Sequence, residues 1–589
     1  MGDKSRYLKL YESGTIARQH GDYLTAEKMF NEALLIEPLG TAGLELCRTL
    51  FLSGKAEEGD ERLLKELELH KSCEKTAFAL GLISLQFMRK ENAVRFFMRA
   101  VELAPGKAEY YNGLGCALKE LQRFKEASLS FKKALSLKDN YGEALTNLAS
   151  ILSISGDNEE AIQYLKKAVG SKDVTPVIVS NYLLRQHYCL NAENMNITAG
   201  HKIFNKIFAP ENKNKKSLGI IDPTGRKIRV GFVSGDFREH PVAWFMLPLF
   251  KHFNKDKFEI AAYSDATVHD SVSELIKREV NEFIDISSLN DDEFSSRIRE
   301  DKIDILFDLS GHTARNRLTV FANRAAPLQV TYLGYPDTTG LENMDYRIVD
   351  QFTDPSFVTY GGSEKLIRLN RCFLTFSKPG YLRPVRDFQP AVQNGYVTFG
   401  SFNNSSKING SVIEAWSEIL KKAADSKLVL KFSGGGNDEI KDGFINKFAS
   451  HGIDKSRIII EGWSSKQSHF KRYEDIDIAL DTFSYNGVTT TLEALWSGVP
   501  VVTLNGNIHA SRVGYSILKA IGLELFAPSS VEKYIEVASA LSFKVDSLFK
   551  LSKTVRSRIA ASSLSEGESL ARAIENSFFQ MINNYNKQA

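Results

Sequence analysis

The sequence predicts a multidomain chain: an all-α array of stacked helical hairpins, followed by two α/β lobes that each carry a parallel sheet. Three observations predict it. A 34-residue period runs through the first third of the 589 residues. From residue 228 onward, short apolar runs alternate with helical patterns, as parallel sheets require. The proline-rich stretch Lys378-Pro-Gly-Tyr-Leu-Arg-Pro-Val-Arg-Asp-Phe-Gln-Pro390 interrupts that alternation and divides the strands into two groups. The expected divisions are repeats over 7–175, a helical connector over 176–225, a first lobe over 226–377, a linker over 378–395, and a second lobe with C-terminal helices over 396–589. A turn-forming break at Asn212-Lys-Asn-Lys-Lys-Ser and Asp222-Pro-Thr-Gly marks the entry to the first lobe.

The repeats are justified slot by slot. Residues 74–107 place Gly81, Ala93, Phe97, Ala100 and Pro105, and a 34-residue shift gives Gly115, Ala127, Phe131 and Ala134. Residues 7–40 offer Gly14, Ala26, Phe30, Ala33 and Pro38, and residues 142–175 keep Gly156, Ala161 and Ala168. Residues 40–73 keep Leu46 and Gly54 but have Gly59 and Glu66 where alanines are expected. Small residues let paired helices cross closely, and the aromatic fills the gap between hairpins. The pattern resembles the tetratricopeptide repeat. Such arrays bind peptides on a concave face or serve as stacking spacers, so a homodimer through the repeats stays open.

Composition narrows the function. Hydrophobic residues make up 43% and charged residues 25%, values of an ordinary globular protein. The net charge of +3 gives no sign of a nucleic-acid surface or a polybasic membrane face. Five scattered cysteines without a Cys-x-x-Cys argue for a reducing compartment and against a cysteine zinc site. No apolar run is long enough to span a bilayer, and the start lacks an apolar signal core, so a cytoplasmic location is expected.

In the first lobe, strands are expected over 228–233, 260–263, 303–309, 329–333 and 346–349. In the second they fall over 396–399, 427–432, 457–460, 476–480 and 499–504. Two such lobes imply a ligand cleft at their strand ends. His240 and His312 each follow a strand of the first lobe, where a histidine can reach the cleft and titrate near neutrality. Asn404 and Lys407 follow the opening strand of the second lobe, where an ammonium can neutralise a departing diphosphate or simply be solvated. Lys466, His469 and Arg472 are spaced by three, hence on one helical face suited to phosphate, ribose and base. The stretch Asp481-Thr-Phe-Ser-Tyr-Asn-Gly-Val-Thr-Thr-Thr-Leu-Glu493 reads as strand, turn and a helix opening on Thr489, Thr490 and Thr491. The Thr490-x-x-Glu493 spacing reads as a capping box, and a helix start is a natural diphosphate seat. Asp475-Ile-Asp477 is read as a solvated strand entry, and no metal is inferred.

Taken together, these segments resemble the protein O-GlcNAc transferase family and its relatives, the plant SPINDLY-type protein O-fucosyltransferases. Both join tetratricopeptide repeats to a two-lobed GT-B glycosyltransferase. The resemblance rests on Asp236-Phe-x-x-His240-Pro, Gly334-Tyr-Pro-Asp-Thr-Thr-Gly340 with Met344-Asp-Tyr, Phe402-Asn-Asn404-x-x-Lys407, and the Lys466/His469/Arg472 face. It implies that His240 lies at the sugar-transfer site with His312 along the acceptor's approach, and that Lys407 is the catalytic lysine near the diphosphate. It also implies that Thr489 and Thr490 hold the diphosphate, and that Glu493 replaces a ribose-binding aspartate. Asn404 stands where the animal enzymes have glutamine, and Val488 where they have histidine. His509 matches bacterial relatives and SPINDLY alike. Related transferases line the repeats with asparagines, and Asn147 sits at the matching slot.

The activity so implied is transfer of one sugar to Ser or Thr hydroxyls of intracellular proteins, inverting and metal-independent. The nucleotide sugar is a substrate, no cofactor is implied, and the repeats read the protein or peptide acceptor. Lys466 and Arg472 match the UDP-GlcNAc enzymes and, as the contacts nearest the nucleotide, make UDP-GlcNAc the expected donor, with GDP-fucose the alternative. Glu300-Asp-Lys-Ile-Asp-Ile-Leu306 and Gly311-His-Thr-Ala-Arg-Asn are SPINDLY-like and favour GDP-fucose. A polysaccharide acceptor and a non-catalytic peptide-binding scaffold are the other classes.

Overall fold

A computed structural model of the chain describes residues 2–189, 197–210, 219–376 and 385–587. The expected break over 212–217 and the first part of the proline-rich linker therefore lie outside the described residues. The chain forms two compact units, residues 1–151 with 164–174, and residues 152–163 with 175–589.

The first unit is helical hairpins throughout, beginning with Gly2–Gln19 paired to Tyr23–Ile36 and repeating through Glu74–Gln86 with Lys90–Leu103 and Ala108–Glu120 with Phe124–Leu137. The glycine slot is steric. A Cβ on Gly14 would stand 2.8 Å from the Phe30 ring, one on Gly81 2.7 Å from Phe97, and one on Gly115 2.5 Å from Phe131. All three phenylalanines are fully buried. The second repeat solves its irregularity locally. Glu66 occupies the alanine slot and is wholly buried, and Gly43 opposite supplies the room, since a Cβ there would collide with the Glu66 carboxylate. Arg62 pairs with that carboxylate. Asn147 is already engaged within the array: it accepts from Lys119 Nζ at 3.0 Å and donates to Asn112 Oδ1 at 3.2 Å.

The second unit holds two parallel sheets. The first comprises β1 (Ile228–Ser234), β2 (Phe258–Ser264), β3 (Glu282–Asp285), β4 (Ile305–Asp308), β5 (Leu328–Tyr332), β6 (Tyr346–Asp350) and β7 (Lys365–Leu369) in the order β3-β2-β1-β4-β5-β6-β7. The second comprises β8 (Thr398–Ser401), β9 (Lys427–Lys431), β10 (Ile458–Glu461), β11 (Ile478–Leu480) and β12 (Val501–Val502) in the order β10-β9-β8-β11-β12. Central strands are buried on both faces, as in β4 and β5, which is why they read as continuous apolar runs. The sequence did not show β3 and β7. Both are edge strands with part of their length exposed, so neither carries such a run.

The last helix, Gly567–Asn586, follows the second lobe in sequence but packs on the first. Phe578 meets Phe258 at a ring distance of 5.3 Å, and Asn586 donates to the Ile221 carbonyl at 2.7 Å. Residues 152–163 are fastened to the second lobe. Lys447 Nζ donates to Ser155 O at 2.6 Å and to Asp157 Oδ1 at 2.8 Å. Asn158 donates to Ser406 O at 2.8 Å. Asp477 corrects an expectation: it is fully buried, not solvated, and its carboxylate accepts from Gln389 Nε2 and the Ala391 and Thr398 amides. No described helix is long and apolar enough to cross a membrane.

Candidate active site

In each lobe the sheet changes winding direction beside its first strand, between β1 and β4 and between β8 and β11. Loops leaving such a switch point diverge and open a crevice. In the second lobe the crevice is closed at its base by side chains from both loops. Asn403, just past β8, accepts from Thr490 Oγ1 at 2.9 Å and donates to Asp481 Oδ1 at 3.4 Å.

Asp481 organises the turn after β11. It is buried, accepts from the Thr482 and Gly487 amides and from Thr503 Oγ1, and burial pushes its carboxyl up to about 6. Ser484 takes a left-handed φ of 64° within the turn. Gly487 admits no side chain, because a Cβ would collide with Thr490 Oγ1 and stand 2.8 Å from Asn403 Oδ1. The helix Thr489–Trp496 then begins without any side-chain cap. The expected capping box is thus absent, and Glu493 instead takes His469 Nε2 at 3.2 Å. A helix start without a side-chain cap keeps its amides available to an anion.

The helix Lys466–Arg472 follows β10 and is capped by Ser465, which accepts from the Ser468 amide. His469 stacks edge-on against Phe402 and Tyr473. Across the crevice the first lobe contributes the loop after β1. His240 caps the helix Pro241–His252, its Nδ1 accepting from the Val242 amide at 3.4 Å with Asp236 at 3.5 Å. Burial lowers its affinity for a second proton. Both contacts engage Nδ1, so Nε2 is the nitrogen through which the ring can meet a ligand. Glu239 reaches Lys466 Nζ at 2.5 Å and accepts from Trp244 Nε1 at 2.7 Å.

A cavity of about 380 Å³ lies between these loops. It gathers His240, Asn404, Lys466, His469, Thr489, Thr490 and Glu493, seven of the residues singled out from sequence. Five others do not line it. Lys407 lies behind the turn, its Nζ donating to Asn486 O at 2.8 Å and resting 3.9 Å over the Tyr485 ring. Burial lowers its pKa to about 8. Thr491 is buried and donates to Gly487 O. Arg472 turns away to Glu461 at 2.8 Å and Asp475 at 2.8 Å. His509 is a fastener between lobes, its Nδ1 2.6 Å from Asp354 Oδ2. His312 does not line an open approach. It is buried with Nδ1 3.0 Å from Ser180 Oγ and Nε2 2.9 Å from Thr339 O, so both ring nitrogens are consumed.

Sequence reasoning missed Glu239, Asn403, Lys431 and Trp463, which also line the cavity. Trp463 was detectable in principle: a tryptophan beside a basic helix that stays 76% exposed is positioned for stacking, not for the core.

Two α/β lobes with a crevice between their strand ends, one offering an uncapped helix start, define the GT-B class of glycosyltransferase folds. The chain belongs to glycosyl transferase family 41, whose family model matches residues 188–379 and 386–574. A tetratricopeptide-repeat model matches residues 108–141 and 142–173. Among curated relatives, the Arabidopsis thaliana protein named probable UDP-N-acetylglucosamine–peptide N-acetylglucosaminyltransferase SPINDLY is 34% identical over 412 residues, 69% of this chain and 45% of that one. The correspondingly named SEC protein of the same plant is 31% identical over 369 residues, 61% of this chain and 37% of that one. The matches thus span less than half the length of these relatives. A solved structure of a Lys-to-Met mutant of Thermobaculum terrenum O-GlcNAc transferase superposes with a TM-score of 0.74 at 26% identity, covering 100% of this chain and 99% of that one.

Proposed function

We propose that this protein transfers a single N-acetylglucosamine from UDP-GlcNAc to Ser or Thr hydroxyls of protein acceptors, with inversion. One observation carries the reading. The cavity joins an uncapped helix start, the His469–Glu493 pair and the first lobe's His240 in a space the size of a nucleotide sugar. In the reaction, the acceptor oxygen bonds to the anomeric carbon as the bond to the diphosphate oxygen breaks. The electron pair departs on the diphosphate, and the hydroxyl proton is released. Amides of Thr489 and Thr490 meet the diphosphate, and Lys407 adds positive charge behind the same turn. Glu493 and His469 bracket the ribose, and Trp463 offers a face for the base. His240 meets the sugar or its bridging oxygen through Nε2.

A different observation weakens the case for uridine and keeps GDP-fucose as the second donor. Lys466 is paired with Glu239, and Arg472 with Glu461 and Asp475, so the two cations that argue for a uridine diphosphate face are engaged by acids. Calorimetry with UDP, UDP-GlcNAc, GDP and GDP-fucose separates the donors. Tighter binding of the guanosine pair reverses the assignment, and binding of none leaves a scaffold. The mass gained by a protein acceptor identifies the sugar delivered.

A further inference from the structure

Behind the transfer site, His187, His201 and Asp337 bring one ligand atom each to within 4.8 Å of one another. They come from three separate segments. His187 ends the helix Pro176–Gln186, His201 follows the helix Ile197–Gly200, and Asp337 lies in the loop after β5. Both histidines are fully buried, and Asp337 is 7% exposed.

His187 is the anomaly. Neither of its ring nitrogens has a hydrogen-bond partner, although nothing of the residue reaches solvent. Burying unpaired polar atoms costs about 1–3 kcal/mol each and normally signals an unseen ion or water. Its Nε2 lies 3.6 Å from Asp337 Oδ2. That is close to the roughly 3.4 Å that separates two ligands of a tetrahedral ion with bonds of about 2.0–2.2 Å.

The other two groups are oriented as ligands are. His201 Nδ1 lies 2.8 Å from the Ile197 carbonyl, which can only accept, so the ring proton sits there and Nε2 keeps its lone pair. An outer hydrogen bond of this kind fixes the tautomer of most metal-binding histidines. Tyr335 Oη lies 2.7 Å from that Nε2, so in the ion-free structure its hydroxyl donates to this lone pair and must turn aside for His201 to bind an ion. Asp337 is held by the Thr198 hydroxyl, 3.1 Å from each oxygen, and by the Thr338 amide at 2.7 Å. Arg347 adds positive charge to the region, and Asp354, 3.7 Å from it, offsets that charge.

We propose that His187, His201 and Asp337 form a structural site for a divalent transition ion of the zinc type, separate from the transfer cavity. Two imidazoles and one carboxylate suit that class of ion. The ion would tie the two helices after the repeats to the first lobe, beside the buried His312.

The test uses the full chain. After chelator dialysis, titration with Zn2+ should load about one ion per chain and raise Tm. Co2+ in its place should give the visible absorption of a low-coordinate nitrogen–oxygen site. His187→Leu removes both orphan nitrogens without changing charge, so it should melt no lower than the parent in chelator, yet lose zinc uptake and the zinc-dependent rise. Asp337→Asn, which keeps the shape, should lose uptake as well and serves if the leucine variant does not fold. Absence of stoichiometric zinc in the parent, or equal uptake by both variants, overturns the proposal and assigns His187 a buried water.

Discussion

At the scale of single residues, the candidate site separates groups that touch the cavity from groups that shape it. Lys407 is of the second kind, an ammonium held over Tyr485 against the Asn486 carbonyl. Diphosphate charge grows as the sugar–oxygen bond breaks, so a cation behind that turn counts most in the transition state. Lys407→Ala is expected to lower kcat about a hundredfold, roughly 3 kcal/mol, with a smaller change in donor affinity. Steady-state kinetics on the folded variant decide it; an unchanged kcat removes the catalytic role, and a raised KM alone leaves a binding role. Because burial lowers the Lys407 pKa to about 8, kcat/KM should fall as pH rises through that value. The sign for stability is opposite. Between about 8 and the ordinary lysine value of 10.5 the unfolded chain binds the extra proton, so this group makes the fold more stable as pH rises through that window. Glu239 predicts a gain. Its carboxylate holds Lys466 where a phosphate would compete, so Glu239→Gln should tighten UDP binding several-fold, about 1 kcal/mol for a partly exposed pair. Calorimetry showing weaker UDP binding would mean that Glu239 positions Lys466 instead of competing for it.

At the scale of elements, the turn between β11 and the helix Thr489–Trp496 sets where the helix-start amides lie, which the proposed function assigns to the diphosphate. Gly487→Ala would push a methyl group into Thr490 and Asn403, an overpacking of about 1–3 kcal/mol. Because the strain falls on the helix start, nucleotide affinity should drop roughly tenfold or more while the melting temperature moves little. Loss of stability without loss of affinity would show that the helix start is not a ligand seat. This turn also shows what a sequence can and cannot disclose. Strand, glycine and threonines were legible because each follows from local pattern. The capping box was misread because Glu493 prefers His469, which lies 24 positions earlier in sequence and is brought near only by folding. His312 failed for the same reason, its ring being fixed by Ser180, which is 132 positions away. Asn403 and Glu239 were invisible because their significance lies in partners distant in sequence, Asp481 and Thr490 for Asn403 and Lys466 for Glu239. Central strands announced themselves, and the edge strands β3 and β7 did not.

At the scale of the whole molecule, the division between the two units does not coincide with the end of the repeats. The fifth repeat pattern runs to residue 175, yet residues 152–163 belong to the second unit. Asn158 is fully buried there and donates to Ser406 O, immediately before Lys407, while Asp157 takes Lys447 at 2.8 Å. A truncation that removes residues 1–175 therefore deletes part of the support of the lysine turn. One that removes residues 1–151 leaves that support in place. Under the proposed function, the chain from 152 onward should still bind donor nucleotide and hydrolyse it slowly, because the cavity-lining residues begin at Glu239. It should fail to glycosylate folded protein acceptors, since an extended repeat surface is the part that reads them. The chain from 176 onward should additionally melt lower, because Ser406 O and Lys447 lose buried or half-buried partners worth about 1 kcal/mol or more each. Nucleotide calorimetry, thermal melts and acceptor mass spectrometry on both truncations distinguish the cases. Full glycosylation of a protein acceptor by the folded 152–589 chain would leave the repeats without a recognition role, and equal melting of the two truncations would show that residues 152–163 do not brace the lysine turn.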